Sequence, residues 1–361
     1  MHDIDPQTLP NDLGEITSAW LTAAIRTKAP SATVVAADIM DVNHGTCTKV
    51  RLRLQVDAEG RRAGIPDRVI LKGGFEPHSR HLAAIHELEV RGYRDVLGAL
   101  GLPSPECYFA AYSPAQRQGI VIMEDLALRG VDFCDALRPQ SFEQVAARLR
   151  LLARFHAKTW NSPEMEAGKW SWLDRGIHSL RDHWHRDYLQ PETWNGFIRS
   201  PRGAAASVRF HDLEWARDAL DRLARLSDRL PHAALHGDAH LGNTYIAPDG
   251  SHGFYDPMTH RDHVIRDVGY HLVGALDTAD RRRWESPLLQ IYLEELARHG
   301  APAPHLDEML RIYGAYLALG YLIFVCNNTV FQTEAVNTAN TARFSAAMVD
   351  HDTLGILQSI E

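Results

Sequence analysis

The chain has 361 residues, 45% of them hydrophobic and 23% charged, with a formal net charge of −8. That is ordinary globular composition, enough for one large domain or two lobes with a substantial core. The acidic balance excludes a protein held to nucleic acid by its overall field, since the one basic run, Arg281-Arg282-Arg283, is short.

At the start, Met1-His2-Asp3-Ile4-Asp5-Pro6 lacks the basic and apolar regions of a signal peptide. The longest apolar run, Tyr313 to Cys326, is too short to span a bilayer and is interrupted by Gly314 and Gly320. Cys47, Cys107, Cys134 and Cys326 are scattered without a CxxC, which excludes a ribbon-type zinc site and points to reduced thiols. The expectation is a soluble cytoplasmic protein with neither a membrane nor a nucleic-acid partner.

Thr17 to Arg26 opens with an N-cap residue and reads as a short helix. Val34–Met40 and Lys49–Val56 read as strands, the second alternating in period two. Their connection, Asp41 to Thr48, holds Gly45 and Thr46. It is either an ordinary hairpin turn or a loop whose amides meet phosphates, with Gly45 allowing close approach of the backbone. Asp67–Lys72 is the next strand and ends on a lysine. A helix starting at Ser79 carries the stripe Leu82, Ile85, Glu89, Gly92, Val96, Leu100, in steps of three and four. Glu89 therefore falls on the buried face, whereas Glu87 shares its face with Arg80, Arg91 and Arg94. A buried carboxylate needs a charged partner, and Lys72 is the economical candidate.

Gly101-Leu102-Pro103-Ser104-Pro105 breaks that helix. Strands over Glu106–Tyr112 and Gln118–Met123 follow, and Glu124-Asp125-Leu126 closes the second. The composition shifts from strands to helices near residue 127. Past Pro139, Ser141 with Gln144 forms a capping box, and His156 falls on the helix's buried face. Trp160 to Trp194 holds five of the eight tryptophans and does not read as a plain core helix. Helices over Asp212–Leu230, Ser286–His299 (Ser286 as N-cap, Pro287 at the first position), Leu306–Cys326 and Ala339–Leu357 complete a mainly helical second half.

The chemistry concentrates in His236-Gly237-Asp238-Ala239-His240-Leu241-Gly242-Asn243, followed by a hairpin whose return strand delivers Asp256. An Asp, an Asn five positions on, and a second Asp closing a short apolar run follow the ground plan of a phosphoryl-transfer site. There the first Asp accepts the hydroxyl proton while the Asn and second Asp hold Mg²⁺.

Taken in order, these pieces resemble the aminoglycoside phosphotransferase superfamily, and within it the ecdysteroid-kinase-like branch. The resemblance runs from about Val34 to Asp352. It rests on Val69-Ile70-Leu71-Lys72, Leu88-Glu89-Val90-Arg91-Gly92-Tyr93, Met123-Glu124-Asp125-Leu126, the His236–Asn243 block, Tyr255-Asp256 and Arg266-Asp267-Val268-Gly269-Tyr270. It implies an α+β, two-lobed protein-kinase-like fold. Residues 1–126 would form an antiparallel-sheet nucleotide-binding lobe ending in a hinge, and residues 127–361 a helical catalytic and substrate-binding lobe. It also implies transfer from ATP or GTP, with Mg²⁺, to a small-molecule hydroxyl. By position, Asp238 is the catalytic base, Asn243 and Asp256 the metal ligands, and Lys72–Glu89 the phosphate-positioning pair. Gly45 and Thr46 belong to the phosphate loop, Met123, Glu124 and Leu126 to the hinge that meets the base, and Asp267 braces the catalytic loop. Two departures stand out: Pro257-Met258 replaces the family's more frequent tryptophan, and the nucleotide loop is poor in glycine.

Two other classes compete. A metal-dependent hydrolase could use His236, Asp238, His240, Asp256, His260 and His263, although neither HExxH nor HxHxDH is present and Lys72 and Glu89 stay unexplained. A catalytically silent kinase fold would serve as a binding module. For the acceptor, the sole acid between Met309 and Val349 is Glu334, in a stretch rich in Tyr313, Tyr316, Tyr321, Phe324, Phe331 and Phe344. That favours an apolar alcohol, steroid- or terpenoid-like, over a polycationic aminoglycoside.

Overall fold

Strand alternation along Thr48–Val56 sets the first layer in this computed structural model, which describes residues 8–45, 47–138 and 140–360. Thr46, Pro139 and residues 1–7, where no signal peptide is expected, lie outside the described residues. The chain runs α1 (Ser18–Arg26), β1 (Val34–Asn43), β2 (Thr48–Val56), α2 (Ala58–Arg62), β3 (Arg68–Gly73), α3 (Ala83–Arg91), β4 (Cys107–Ser113) and β5 (Gln118–Glu124). Then come β6 (Asp132–Phe133), α4 (Phe142–Ala157), α5 (Glu164–Ala167), α6 (Gly176–Asp187), α7 (Pro191–Ile198), α8 (Pro201–Ala204) and α9 (Leu213–Arg229). Four short strands follow: β7 (Ala233–Leu235), β8 (Thr244–Ile246), β9 (His252–Phe254) and β10 (His260–Asp262). The last helices are α10 (Ile265–Ala275), α11 (Thr278–Arg298), α12 (Leu306–Cys326), α13 (Glu334–Asp350) and α14 (Thr353–Gln358).

These elements form two compact units. One holds the chain up to Asp132 together with Ile246–Met258; the other holds Phe133–Tyr245 and Thr259–Glu361. The first is built on an antiparallel five-stranded sheet in the order β1-β2-β3-β5-β4. Val50, Leu52, Leu54 and Val56 point from one face of β2 into a core shared with Trp20, Leu21 and Ile25 of α1 and Phe109 of β4. Each such side chain contributes about 1.5–3 kcal/mol by leaving water. Trp20 meets Phe109 edge to face, with centroids 5.6 Å apart. The opposite face carries Lys49 of β2, which lies directly across from Lys72 of β3.

One uninterrupted helix from Ser79 is expected; the structure divides it into a 3₁₀ turn (Ser79–Leu82), α3 and a π turn (Gly92–Val96). The wider turn is closed by Leu97 N–H donating to Gly92 O at 2.9 Å. It keeps Tyr93, Val96 and Leu97 buried beyond the point where a regular helix would have rotated them away.

The second unit is mainly helical. The Ser141–Gln144 capping box starts α4, and Asp212 caps α9 through Trp215 N–H at 2.7 Å. Three expectations are corrected here. Ser286 does not cap a helix: α11 begins after Asp277, whose side chain accepts Asp280 N–H, and Pro287 lies inside it. The proline costs one backbone bond, which burial of Leu288, Leu289, Tyr292, Leu293 and Leu296 after it, and of Arg281 before it, offsets. The last helix is two, α13 and α14, separated where Asp352 takes a left-handed φ of 47° and Thr353 Oγ1 donates to Gly314 O at 2.7 Å. Finally, α12 extends the apolar run of Tyr313–Cys326 to 21 residues, long enough to cross a bilayer, but 83% of its apolar window is buried within the protein. It is the central helix of its unit. Trp160 to Trp194 spans α5, α6 and the start of α7, and Trp170, Trp184 and Trp194 are core residues there.

Candidate functional site

The sequence-predicted residues fall into two groups, one on each unit. In the first unit β3 ends with Lys72 buried, and α3 presents Glu89 to it as a hydrogen-bonded ion pair. Glu87 is half-exposed and pairs with Arg91 at 2.7 Å. Asp256, delivered after β9, lies 2.9 Å from Lys72 Nζ through Oδ1 and accepts from Lys49 Nζ at 3.0 Å through Oδ2. Its backbone takes φ 56°, a conformation that costs a non-glycine residue on the order of 1 kcal/mol. The Tyr93 hydroxyl accepts Asp256 N–H at 3.0 Å and helps to hold it there.

Charge in this cluster is tightly coupled. Burial disfavours the charged lysine, but Asp256 and Glu89 outweigh it and keep Lys72 well above the usual lysine range. Burial also works against the Asp256 carboxylate, and Lys49 and Lys72 reverse it, so Asp256 falls below the usual carboxylate range. Glu89 is pushed up by burial, with Lys72 opposing. Cys47 lies beside the pair, its Sγ 3.1 Å from His86 Nδ1 and 3.6 Å from Glu89 Oε2.

Gly45 O lies 3.0 Å from His78 Nε2, and a Cβ on Gly45 would meet only Cys47 O, at 3.7 Å. Nothing in the described chain requires a glycine there. Thr46, the other expected loop residue, lies outside the described residues. At the expected hinge, Met123 is buried between its ladder partners Ile70 and Cys107, and Leu126 is buried at the start of a 3₁₀ turn. Glu124 N–H donates to Glu106 O at 2.8 Å. Asp125, between them, is buried and accepts from Arg51 at 2.9 Å.

In the second unit β7 leads into the His-Gly-Asp loop. Asp267 of α10 accepts His236 N–H at 2.7 Å on Oδ2 and Gly237 N–H at 3.0 Å on Oδ1. Gly237, with φ 86°, supplies the turn that lets consecutive amides face one carboxylate. Asp267 is held from behind by His156, whose Nε2 lies 3.3 Å from Oδ2 and whose Nδ1 lies 2.9 Å from the Tyr292 hydroxyl. The carboxylate can only accept, so His156 carries its proton on Nε2 and accepts from Tyr292 on Nδ1. His156 thus belongs to a buried polar chain within the core.

Asn243 Nδ2 donates to Asp238 O at 2.9 Å and to Asp238 Oδ2 at 2.8 Å. Both partners are acceptors, so the amide nitrogen must face them and Oδ1 must point the other way. Gly242 N–H donates to His240 Nδ1 at 3.0 Å, which places the His240 proton on Nε2, 3.6 Å from Asp238 Oδ2. Asp238, the one carboxylate of the loop, is 28% exposed. His263 is buried, accepts Ile265 N–H at 3.3 Å on Nδ1, and is pushed down to about 3 by burial. Among the described residues no three His, Cys, Asp or Glu side chains converge as a metal-binding group. The hydrolase reading therefore lacks its ligand set.

Lys49, Tyr93 and Asp125 were not singled out from the sequence. Lys49 sits among Arg51 and Arg53 on the polar face of β2 and reads as solvated until the register sets it opposite Lys72.

The profile of the ecdysteroid kinase-like family matches residues 91–244, a stretch that includes Asp238 and Asn243 and stops short of Lys72, Glu89 and Asp256. No curated protein matches the sequence. Among solved structures, a candidate aminoglycoside phosphotransferase from Ralstonia eutropha is similar at 12% identity and TM-score 0.50, covering 92% of this chain and 96% of its own. A choline kinase from Streptococcus pneumoniae is similar at 13% identity and TM-score 0.50, covering 88% and 94%. An amicoumacin kinase in complex with AMP-PNP and Ca²⁺ is similar at 13% identity and TM-score 0.50, covering 87% and 88%. The chain has the protein-kinase-like fold of these small-molecule kinases, with its antiparallel sheet in the first unit and its helices mainly in the second.

Proposed function

We propose that this chain is a small-molecule kinase that transfers the γ-phosphoryl group of ATP, or GTP, to a hydroxyl of an apolar, non-aminoglycoside alcohol. The observation that carries the reading is the buried Lys72–Glu89 pair joined to Asp256, on a chain whose other unit holds Asp238 and Asn243 in one loop. A lysine kept charged inside the protein suits phosphate oxygens, and Glu89 fixes its position.

The donor set also suits magnesium. Asp256 is a low-pKa carboxylate that already draws two cationic side chains, and Asn243 has its amide oxygen turned away from Asp238. Hard oxygen donors in that small number fit a metal that keeps several waters and shares the phosphates; they do not fit zinc. Magnesium bound by Asn243 and Asp256 would neutralise charge on the phosphates. In this reading Asp238 accepts the proton of the acceptor hydroxyl, and Asn243 holds its carboxylate in one orientation. Asp267, through the His236 and Gly237 amides, keeps the loop backbone fixed. Met123 and Leu126 mark the hinge, with Gly45 and Thr46 in the phosphate loop.

The apolar acceptor is favoured by where the acids go. Glu334 is spent on Arg202, to which it is hydrogen-bonded, so it is not offered to a polycation. Tyr313, Tyr321 and Phe324 are core residues; Tyr270, Tyr316 and Phe344 line a cleft beside Gly237 that no carboxylate lines. Mass spectrometry after incubation with Mg-ATP and a panel of alcohols, amino alcohols and sugars tests the reading. One phosphoryl addition, absent with Asp238→Asn, is the expected result.

A further inference from the structure

The cleft beside Gly237 is lined by one cation, Arg266, which pairs with Asp262 through a single nitrogen. The cleft is narrow, with an interior of only about 10 Å³, and has Arg266 and Tyr270 on one side and Tyr316, Leu319, Ile323 and Phe344 on the other. Arg266 and Tyr270, one helical turn apart on α10, are on the same face of that helix. Gly320 lets the wall close: a Cβ there would lie 2.1 Å from the Phe344 ring.

Arg266 is 9% exposed, and among the described residues its hydrogen bond runs from Nη1 to Asp262 Oδ2, at 3.2 Å. The pair uses Asp262 Oδ2 alone and engages one end of the guanidinium. Ser227 Oγ at 2.6 Å, His263 N–H at 2.7 Å and the Tyr316 hydroxyl at 2.9 Å all donate to Asp262 Oδ1. A guanidinium carries five N–H donors in a planar fork, so most of this one is left for the cleft. Tyr270 is a buried residue whose hydroxyl has no hydrogen-bond partner among the described residues. It lies within the electrostatic reach of both Asp238 and Arg266. Its ring is fixed by stacking on Phe324, with centroids 5.3 Å apart.

We propose that this cleft is an anion subsite of the acceptor pocket, taking a carboxylate carried by the acceptor, with Arg266 as its main partner and the Tyr270 hydroxyl as a second donor. A carboxylate matches the guanidinium fork in shape and charge, and its flat outline suits a narrow cleft between aromatic walls. The acceptor class is then an apolar hydroxy acid. That naming of the occupant rests on the kinase reading; the carboxylate preference of the cleft does not.

The test therefore separates the two. Calorimetric titration of the full chain, without nucleotide, compares 4-(hydroxymethyl)benzoate with its methyl ester, and mass spectrometry with Mg-ATP then reads phosphoryl transfer. The acid is expected to bind at least about tenfold more tightly than the ester, the size of one charge-assisted pair. Arg266→Lys keeps a counter-charge for Asp262 but loses the fork; it and the milder Tyr270→Phe are expected to reduce that preference by weakening binding of the acid more than of the ester. Equal affinity for acid and ester, no saturable binding of the acid or of benzoate, or an undiminished preference in Arg266→Lys would each overturn the subsite. Arg266-dependent binding of the acid without transfer to any alcohol sustains the subsite and counts against the kinase. Transfer to neutral alcohols without any acid preference does the reverse.

Discussion

Asn243 grips Asp238 twice, donating from one amide nitrogen to the backbone carbonyl at 2.9 Å and to the carboxylate at 2.8 Å. A side chain expected only to hold metal therefore also orients the proposed base. The two roles are compatible because they use opposite ends of one amide.

Asp238→Asn should abolish transfer and leave nucleotide binding nearly intact. General-base catalysis is worth about 10²–10⁴ in rate. A variant retaining more than roughly a tenth of wild-type kcat, with chemistry rate-limiting, would remove Asp238 from that role.

Asn243→Ala should lower kcat and raise the Mg²⁺ requirement together, since both Asp238 and the metal lose a partner. Asp256→Ala should raise the Mg²⁺ requirement more, because magnesium depends chiefly on carboxylates, and it also leaves Lys49 and Lys72 facing each other without their shared anion. Activity titrated against Mg²⁺ reads both, and an unchanged metal dependence in either variant would contradict its assignment as a ligand.

Lys72→Ala should raise the nucleotide KM and lower turnover by about ten- to a hundredfold, the equivalent of one charge-assisted bond. Glu89→Ala should resemble it, whereas Glu87→Ala, which loses only a half-exposed pair with Arg91, should sit near wild type. Steady-state kinetics on the three variants would expose a misassigned pair if Glu87→Ala were the most damaging.

Stability should fall as pH drops from 7 towards 4. Burial pushes His263 down to about 3, with Asp262 opposing and His232 and His156 adding to the effect, and burial pushes His86 down to about 4. The unfolded chain takes up these protons near 6.5 while the folded chain does not, so more protons are bound on unfolding and stability rises with pH across that window. Urea unfolding at stepped pH measures the slope, and His263→Asn, which retains an acceptor for Ile265 N–H, should reduce it by up to one proton. An identical slope in that variant would show that His263 is protonated in the folded state.

Kanamycin-type polycations should be neither substrates nor inhibitors, and apolar alcohols should raise Tm in the presence of Mg-nucleotide. The reason is the scarcity of unspent carboxylates in the helical unit near Gly237, where the cleft has aromatic walls. Efficient phosphorylation of an aminoglycoside would overturn the acceptor reading and leave the kinase chemistry in place.

Local signals survive folding where one element satisfies them alone. Thr17, Ser141 and Asp212 each cap the helix that follows because a cap needs only amides two or three residues away. The period-two face of β2 and the placing of Glu89, not Glu87, on the buried side of its helix also follow from spacing along one element. Where a local signal competed with a buried face, the face prevailed. Pro287 did not start a helix: Asp277 caps α11 earlier, and the helix runs through the proline into the buried Leu288–Leu296 face.

By itself the sequence determined an antiparallel strand region followed by helices, and the order and spacing of Lys72, Glu89, Asp238, Asn243 and Asp256. Alternation, helical stripes and short loops are properties of neighbouring residues and need no knowledge of the rest of the chain. Only the tertiary structure decided which distant groups share charge. Lys49 joins Asp256 through strand register, Tyr93 reaches Asp256 N–H through a π turn, and Arg266 pairs with Asp262, whose other oxygen takes Ser227, His263 and Tyr316. Such pairings link residues up to 207 positions apart. They arise from packing, where a buried charge or donor must find a partner in whatever element the fold brings beside it.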